Sequence, residues 1–267
     1  MSELGNGILI LDFGSQYTLL IARRIRELGV YSEVWPGNDP RLVKIVDEAT
    51  AAGGKGAPAR GIILSGGPSS VGVEGAPRLA GGLLELGVPV LGICYGMQLI
   101  THELGGRVAP AAVREYGRNV VVTDHAVGPF SSFDAGSEST VWMSHGDEVL
   151  EVPEGFLPVA STRNGVLAAM ANPERGWYGL QFHPEVSHTE RGREFLSNFV
   201  FGVCGCRDDW TMAAFVETAV EAVRARVGPE ERVICGLSGG VDSSVVAALL
   251  QRAIGDRLTC VCVDSGL

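Results

Sequence analysis

The sequence predicts an α/β protein: a mostly parallel open sheet flanked by helices, with antiparallel additions, followed by the first strand-loop-helix-strand of a second α/β nucleotide-binding domain. Three observations carry this expectation. Up to residue 93, short apolar runs ending in glycine or small polar residues alternate with segments of helical spacing, which is the rhythm of βα units. From residue 107 onward the apolar pieces shorten and are separated by turn residues, as in antiparallel strands. After residue 205 an amphipathic segment and another apolar run restart the alternation, dividing the chain into 1–205 and 206–267.

The elements follow in order. Gly7-Ile8-Leu9-Ile10-Leu11-Asp12 reads as a buried parallel strand. Leu20, Ile21, Ile25 and Leu28 then recur at helical spacing up to Gly29. Residues 30–35 form a second strand and 36–40 a turn; a short helix covers 41–49, and a glycine-rich surface loop covers 51–59. Gly61-Ile62-Ile63-Leu64 is the third strand, a helix is expected over 77–86, and residues 88–93 form the fourth strand. The shorter pieces are 119–123, 140–143, 157–161, 166–171 and 179–182, closed by a helix over 190–203 and a linker over 204–209. A helix over 210–227, with Phe215, Ala219, Ala222 and Val223 on one side, leads to a strand at 233–237, a helix at 245–254 and a strand at 258–263.

Composition narrows the function. Of 267 residues, 46% are hydrophobic and 19% charged, enough apolar material for a sizeable core. A net charge of −10 gives no electrostatic footprint for nucleic acid or an anionic membrane. No basic leader or long apolar span is evident, so a cytoplasmic protein handling small molecules is expected. The cysteines are Cys94, Cys204, Cys206, Cys235, Cys260 and Cys262. The two C-x-C pairs lack zinc-ligand spacing, so neither metal binding nor disulfides are expected.

Catalytic chemistry is most legible at Gly92-Ile93-Cys94-Tyr95-Gly96, where an apolar strand gives way at once to a helix-like pattern. This is the cysteine form of a nucleophile elbow. The glycines permit a sharp turn, and the helix N-terminus favours negative charge. A base and an orienting group come from His183-Pro184-Glu185, since residues i and i+2 of an extended segment share a side. Oxyanion donors are expected from the backbone N–H of Tyr95 and of Gly67, the latter in Ser65-Gly66-Gly67-Pro68. His102, two turns beyond Cys94, is expected to be packed or solvated.

Together, Gly92-Ile93-Cys94-Tyr95-Gly96-Met97-Gln98, Ser65-Gly66-Gly67-Pro68 and Gln181-Phe182-His183-Pro184-Glu185 resemble the triad-type (class I) glutamine amidotransferases. The resemblance implies that Cys94 attacks the side-chain amide of glutamine, with His183 transferring protons and Glu185 orienting it. It also implies that Gln98 and the stretch Ser144, Gly146 and Asp147 hold the substrate, His145 serving loop geometry.

Ser238-Gly239-Gly240-Val241-Asp242-Ser243-Ser244 follows a strand and opens a helix. Two glycines and several hydroxyls at a helix N-terminus form a nest suited to phosphate. Asp242 either helps to bind Mg²⁺ or caps the helix. The loop resembles that of the ATP pyrophosphatases. With Ile10-Leu11-Asp12-Phe13-Gly14-Ser15-Gln16-Tyr17, Trp142-Met143-Ser144-His145-Gly146-Asp147 and Val263-Asp264-Ser265-Gly266-Leu267, the order of units resembles the glutamine-hydrolysing GMP synthetases. That resemblance implies Mg-ATP and XMP as co-substrates, no prosthetic group, and a homodimer formed through a further C-terminal domain. Because that family continues past the equivalent of Leu267, the chain is expected to be a fragment with an intact glutaminase half. An amidotransferase serving another ATP-dependent amination, or a non-catalytic glutamine- or partner-binding module, are the alternative readings.

Overall fold

A computed structural model describes residues 3–51 and 57–263. Most of the expected glycine-rich loop (52–56) and the end of the last quoted motif (264–267) lie outside the described residues. The chain divides into two compact units, Met1–Asp209 and Trp210–Leu267.

The first unit is built on one nine-stranded sheet. Strands β1 (Ile8–Asp12), β2 (Ser32–Pro36), β3 (Gly61–Leu64) and β4 (Val90–Ile93) lie in the order β2-β1-β3-β4, all parallel. Helices α1 (Thr18–Glu27) and α2 (Pro40–Ala51) make the crossovers. Strands β1, β3 and β4 are buried almost throughout. Strands covered on both faces can be continuously apolar, which is why they read as unbroken Ile/Leu/Val runs rather than alternating ones.

No α-helix forms over 77–86. Gly82 adopts a left-handed φ of 80°, and only a 3₁₀ turn, Leu83–Leu86, follows it. The Gly81-Gly82 pair is a poor helix former, so the chain bends where the apolar spacing alone suggested a helix. After α3 (Tyr95–Glu103) the sheet continues through β5 (Arg107–Thr123), β6 (Glu138–Glu151), β7 (Leu157–Thr162), β8 (Leu167–Asn172) and β9 (Trp177–Leu180). Two of the expected short pieces belong to the long β5–β6 hairpin. β9 is the turning point of the sheet, parallel to β4 and antiparallel to β8. The closing helix starts as α4 (Gly192–Ser197) and ends as a π-helix, Asn198–Val203. Cys204 and Cys206 are buried in the first unit's core, so residues 204–206 pack rather than hang free.

The second unit places α5 (Met212–Arg226) and α6 (Val241–Ile254) with a two-stranded parallel sheet of β10 (Val233–Leu237) and β11 (Leu258–Cys262). The Thr211 hydroxyl caps α5 by accepting from the Ala214 N–H. The apolar side of α5 buries Val220; Phe215, Ala219 and Val223 are half-buried and Ala222 is exposed. Among the described residues of this unit, only Val220, Ala253 and Ile254 form a buried cluster, while Ile234, Val241, Val245, Val246 and Val261 are exposed. Two strands with so little burial are of marginal stability. Backbone amides of β10 and β11 are therefore expected to exchange with deuterium at least about a thousandfold faster than those of β1 and β3. Mass-spectrometric exchange checks this, and equal protection would contradict it.

Candidate active site

The site sits at the carboxyl ends of the parallel strands, where α/β sheets place their ligands. Leaving β4, the chain turns into α3 within one residue, and Cys94 occupies that turn with φ 53° and ψ −105°. Among the described residues it is the sole non-glycine with positive φ. Both flanking glycines are sterically required. A Cβ on Gly92 would lie 2.4 Å from the carbonyl carbon of Gly96, and one on Gly96 would lie 2.4 Å from the Leu64 carbonyl oxygen. The elbow is pinned to the neighbouring strand by Cys94 N–H donating to Leu180 O at 2.7 Å.

His183 and Glu185 meet side by side, both buried, with Nδ1 of His183 2.7 Å from Oε1 of Glu185. The segment carrying them is a series of bends after β9 rather than extended strand. Its shape is held by His183 N–H donating to Trp142 O (3.0 Å), by the Thr189 hydroxyl donating to His183 O (2.6 Å), and by Arg24 Nε donating to Glu185 O (2.9 Å). The Tyr17 ring packs edge-on against the imidazole at 5.2 Å. With Nδ1 facing a carboxylate, the other ring nitrogen is left for the sulfur. Burial disfavours the charged ring, but the charge of Glu185 and hydrogen bonds with Cys94 and Glu185 outweigh it and raise the pKa from 6.5 to about 10.

A cleft of about 360 Å³ opens over Cys94 and His183 and is also lined by Gly14, Ser15, Gln16, Tyr17, Gly67, Pro68 and Ser144. Tyr95 is the first residue of α3, where the backbone N–H has no intrahelical acceptor. Gly67 lines the cleft. Gly66 comes closer to the reacting groups: a Cβ there would meet His183 Cε1 at 3.1 Å and Cys94 Cβ at 3.7 Å. The buried Ser65 hydroxyl accepts from Phe13 N–H at 3.0 Å and donates to Gly66 O at 2.8 Å, tying the β3 exit to the β1 exit.

The residues expected to hold substrate are distributed unevenly. Ser144 lines the cleft, and its carbonyl accepts from the Cys94 thiol at 3.6 Å. Gln98 is buried and donates to the Asp147 carbonyl at 2.9 Å. Gly146 and Asp147 continue β6 beyond the lining, with Arg114 and Tyr116 near Gly146. His145 is buried, Nδ1 3.0 Å from Asp147 O and Nε2 3.2 Å from Glu115 Oε2, so it shapes β6 rather than facing the sulfur. His102 is exposed on α3. The contribution of Ser15, Gln16 and Tyr17 to the cleft was not foreseen as a site role; their position directly after β1, at a strand's carboxyl end, was the available signal.

In the second unit, Gly239 takes a φ of 80° and Gly240 caps α6. The Ser243 hydroxyl accepts from Ser238 N–H (3.3 Å) and donates to Gly240 O (3.1 Å), while the Ser244 hydroxyl donates to Gly240 O (2.9 Å). Asp242 is exposed in the first turn of α6. Among the described residues no three His, Cys, Asp or Glu side chains gather as a metal site.

A cysteine elbow in a parallel sheet, faced by a buried His–Glu pair, defines a class. The chain belongs to the class-I glutamine amidotransferases: the family model "Glutamine amidotransferase class-I" matches residues 9–203. A second model, "Asparagine synthase", matches residues 214–266. The glutamine-hydrolyzing GMP synthase of Maridesulfovibrio salexigens is 53% identical over 263 residues, covering 98% of this chain and 49% of that protein. The chain thus spans about half the length of the curated relatives it matches. A crystal structure from Thermoplasma acidophilum, provisionally assigned as one subunit of a GMP synthase, is 32% identical, with a TM-score of 0.58 over 79% of this chain and 96% of that one. A glutamine amidotransferase from Thermotoga maritima, 18% identical with a TM-score of 0.50 over 92% of this chain and 97% of that one, shares the fold.

Proposed function

We propose that the chain serves glutamine-dependent GMP synthesis, with the glutaminase domain running past the expected boundary at 205 to residue 209 and residues 210–267 as the start of an ATP pyrophosphatase domain. The observation that carries the reading is the Cys94–His183–Glu185 constellation at the strand-to-helix elbow. The Cys94 sulfur attacks the side-chain amide carbon of glutamine, and the oxyanion is received by the N–H groups of Tyr95 and Gly67. His183 gives a proton to the leaving ammonia, and a glutamyl thioester remains. Water then adds to the thioester, losing its proton to His183, and glutamate departs with the sulfur restored. Ser144, Gly146 and Asp147 shape the substrate seat, and Gln98 fixes the last of these.

The ammonia goes to XMP adenylylated by ATP, giving GMP, AMP and pyrophosphate. The N–H groups and hydroxyls of residues 238–244 suit the phosphates of ATP. Asp242 fits as one oxygen ligand for Mg²⁺, which is ordinarily held by one or two carboxylates with phosphate and water completing the shell. The homodimer and cytoplasmic residence belong to the same proposal and rest on the resemblance. Among the described residues no helix is long and apolar enough to cross a membrane.

The test is glutamate release from glutamine by the full 267-residue chain, with and without XMP and Mg-ATP, together with labelling by a glutamine-mimicking electrophile. The expected result is turnover with the label on Cys94. Label elsewhere, or turnover surviving Cys94→Ala, would sink the reading.

A further inference from the structure

Two residues before His183 stands a side chain that the triad leaves unexplained. Gln181 is fully buried where β9 gives way to bends. Its Nε2 lies 3.8 Å from the Cys94 sulfur, and its Oε1 lies 3.3 Å from Nε2 of Gln98. A polar side chain held entirely away from water needs partners, and both of these are at the nucleophile's base.

The direction of these contacts is set by an atom that can only accept. The Asp147 carbonyl oxygen receives Gln98 Nε2 at 2.9 Å. A carbonyl has no proton to give, so the end of Gln98 that faces it is the NH₂ group. The same NH₂ turns its second hydrogen to Gln181, which must therefore present its oxygen to Gln98 and its own NH₂ to the sulfur. Amide orientation is thus passed from the Asp147 carbonyl through Gln98 to Gln181 and ends on Cys94.

We propose that Gln181 is a positioning residue for the nucleophile, its amide N–H directing the Cys94 sulfur and stabilising negative charge on it. The proposal rests on the glutaminase reading above and deepens it. The sulfur's third contact, the Ser144 carbonyl at 3.6 Å, accepts from a thiol and repels a thiolate. A donor is needed to offset that repulsion as the proton leaves. The titratable groups around the sulfur are His183, from the loop after β9, Glu185 behind it, and Tyr17, which lines the same cleft and packs against the imidazole; the Asp147 carbonyl and His145 lie beyond Gln98. A neutral amide supplies the second donor without burying another charge.

The test is the pH profile of Cys94 alkylation by iodoacetamide in the full chain, alongside steady-state glutamate release. The Cys94 peptide is followed by mass spectrometry, because Cys260 and Cys262 are exposed. Gln181→Met keeps length and volume without the donor; Gln181→Glu puts an acceptor in its place. Both are expected to move half-maximal alkylation to higher pH, by about one unit for the Met variant. Both are expected to lower kcat about tenfold or more with KM within about twofold. Profiles superimposable on wild type in the folded variants overturn the proposal. If neither variant folds, Gln98→Leu, which leaves Gln181 but removes what orients it, is expected to shift the profile in the same direction, and an unchanged profile again overturns it. His183→Ala separates the two ideas. If its profile also matches wild type, the glutaminase reading falls; if it alone shifts, only the role of Gln181 falls.

Discussion

Glutamate release by the His183→Ala variant is expected to fall by about three to four orders of magnitude. The imidazole serves both half-reactions, as proton donor to ammonia and proton acceptor from water. It is buried and backbone-tethered at both its N–H and its carbonyl, so the ring is held in place for both transfers and no neighbouring side chain substitutes for it. Glu185→Gln, with equal volume but no charge, is expected to cost about a hundredfold, and the double variant little more than His183→Ala alone, because the pair works as a unit. A His183→Ala chain with a tenth of wild-type turnover would contradict the mechanism. The same pair governs stability. Its imidazole binds a proton more tightly folded, at about 10, than unfolded, at about 6.5. That contribution is fully present below pH about 6.5 and is lost as pH rises toward 10. Thermal melts across this window should show the decline in wild type and a flatter dependence in Glu185→Gln, whose missing carboxylate removes the largest cause raising the pKa.

Gly96→Ala is expected to destabilise the first unit by about 3 kcal/mol, lowering its melting midpoint by about 6–12 °C. The added methyl would meet the Leu64 carbonyl oxygen at 2.4 Å and the Leu64 Cβ at 2.7 Å. Neither can retreat, because Leu64 ends β3, hydrogen-bonded to its neighbours in the middle of the sheet. Relief must come from α3 lifting away, carrying Tyr95 and the sulfur with it, so turnover should fall with stability. Gly81→Ala is the control: its Cβ meets nothing within 4 Å, and a near-unchanged midpoint is expected. Calorimetry of both variants checks the contrast.

Much of this was legible in the sequence for physical reasons. β1, β3 and β4 announce themselves because strands covered on both faces are continuously apolar, and the elbow because two obligatory glycines bracket one cysteine. His183 and Glu185 could be paired from their spacing, although bends rather than extended backbone bring them together. The rest depended on contacts across the chain. The apolar spacing over 77–86 suggested a helix that Gly81 and Gly82 break. The length of β5 and β6 comes from pairing with each other, which composition does not encode. Gln98 is assigned to the substrate through the resemblance alone. Its burial against the Asp147 carbonyl emerges only when β6 is folded beside α3.

The backbone at Cys94 also restricts which atoms can ever act there. At φ 53° a side chain with two heavy atoms on Cβ crowds its own backbone more severely than one with a single unbranched substituent. The turn that exposes the sulfur therefore weighs against threonine as a nucleophile here before any question of reactivity arises.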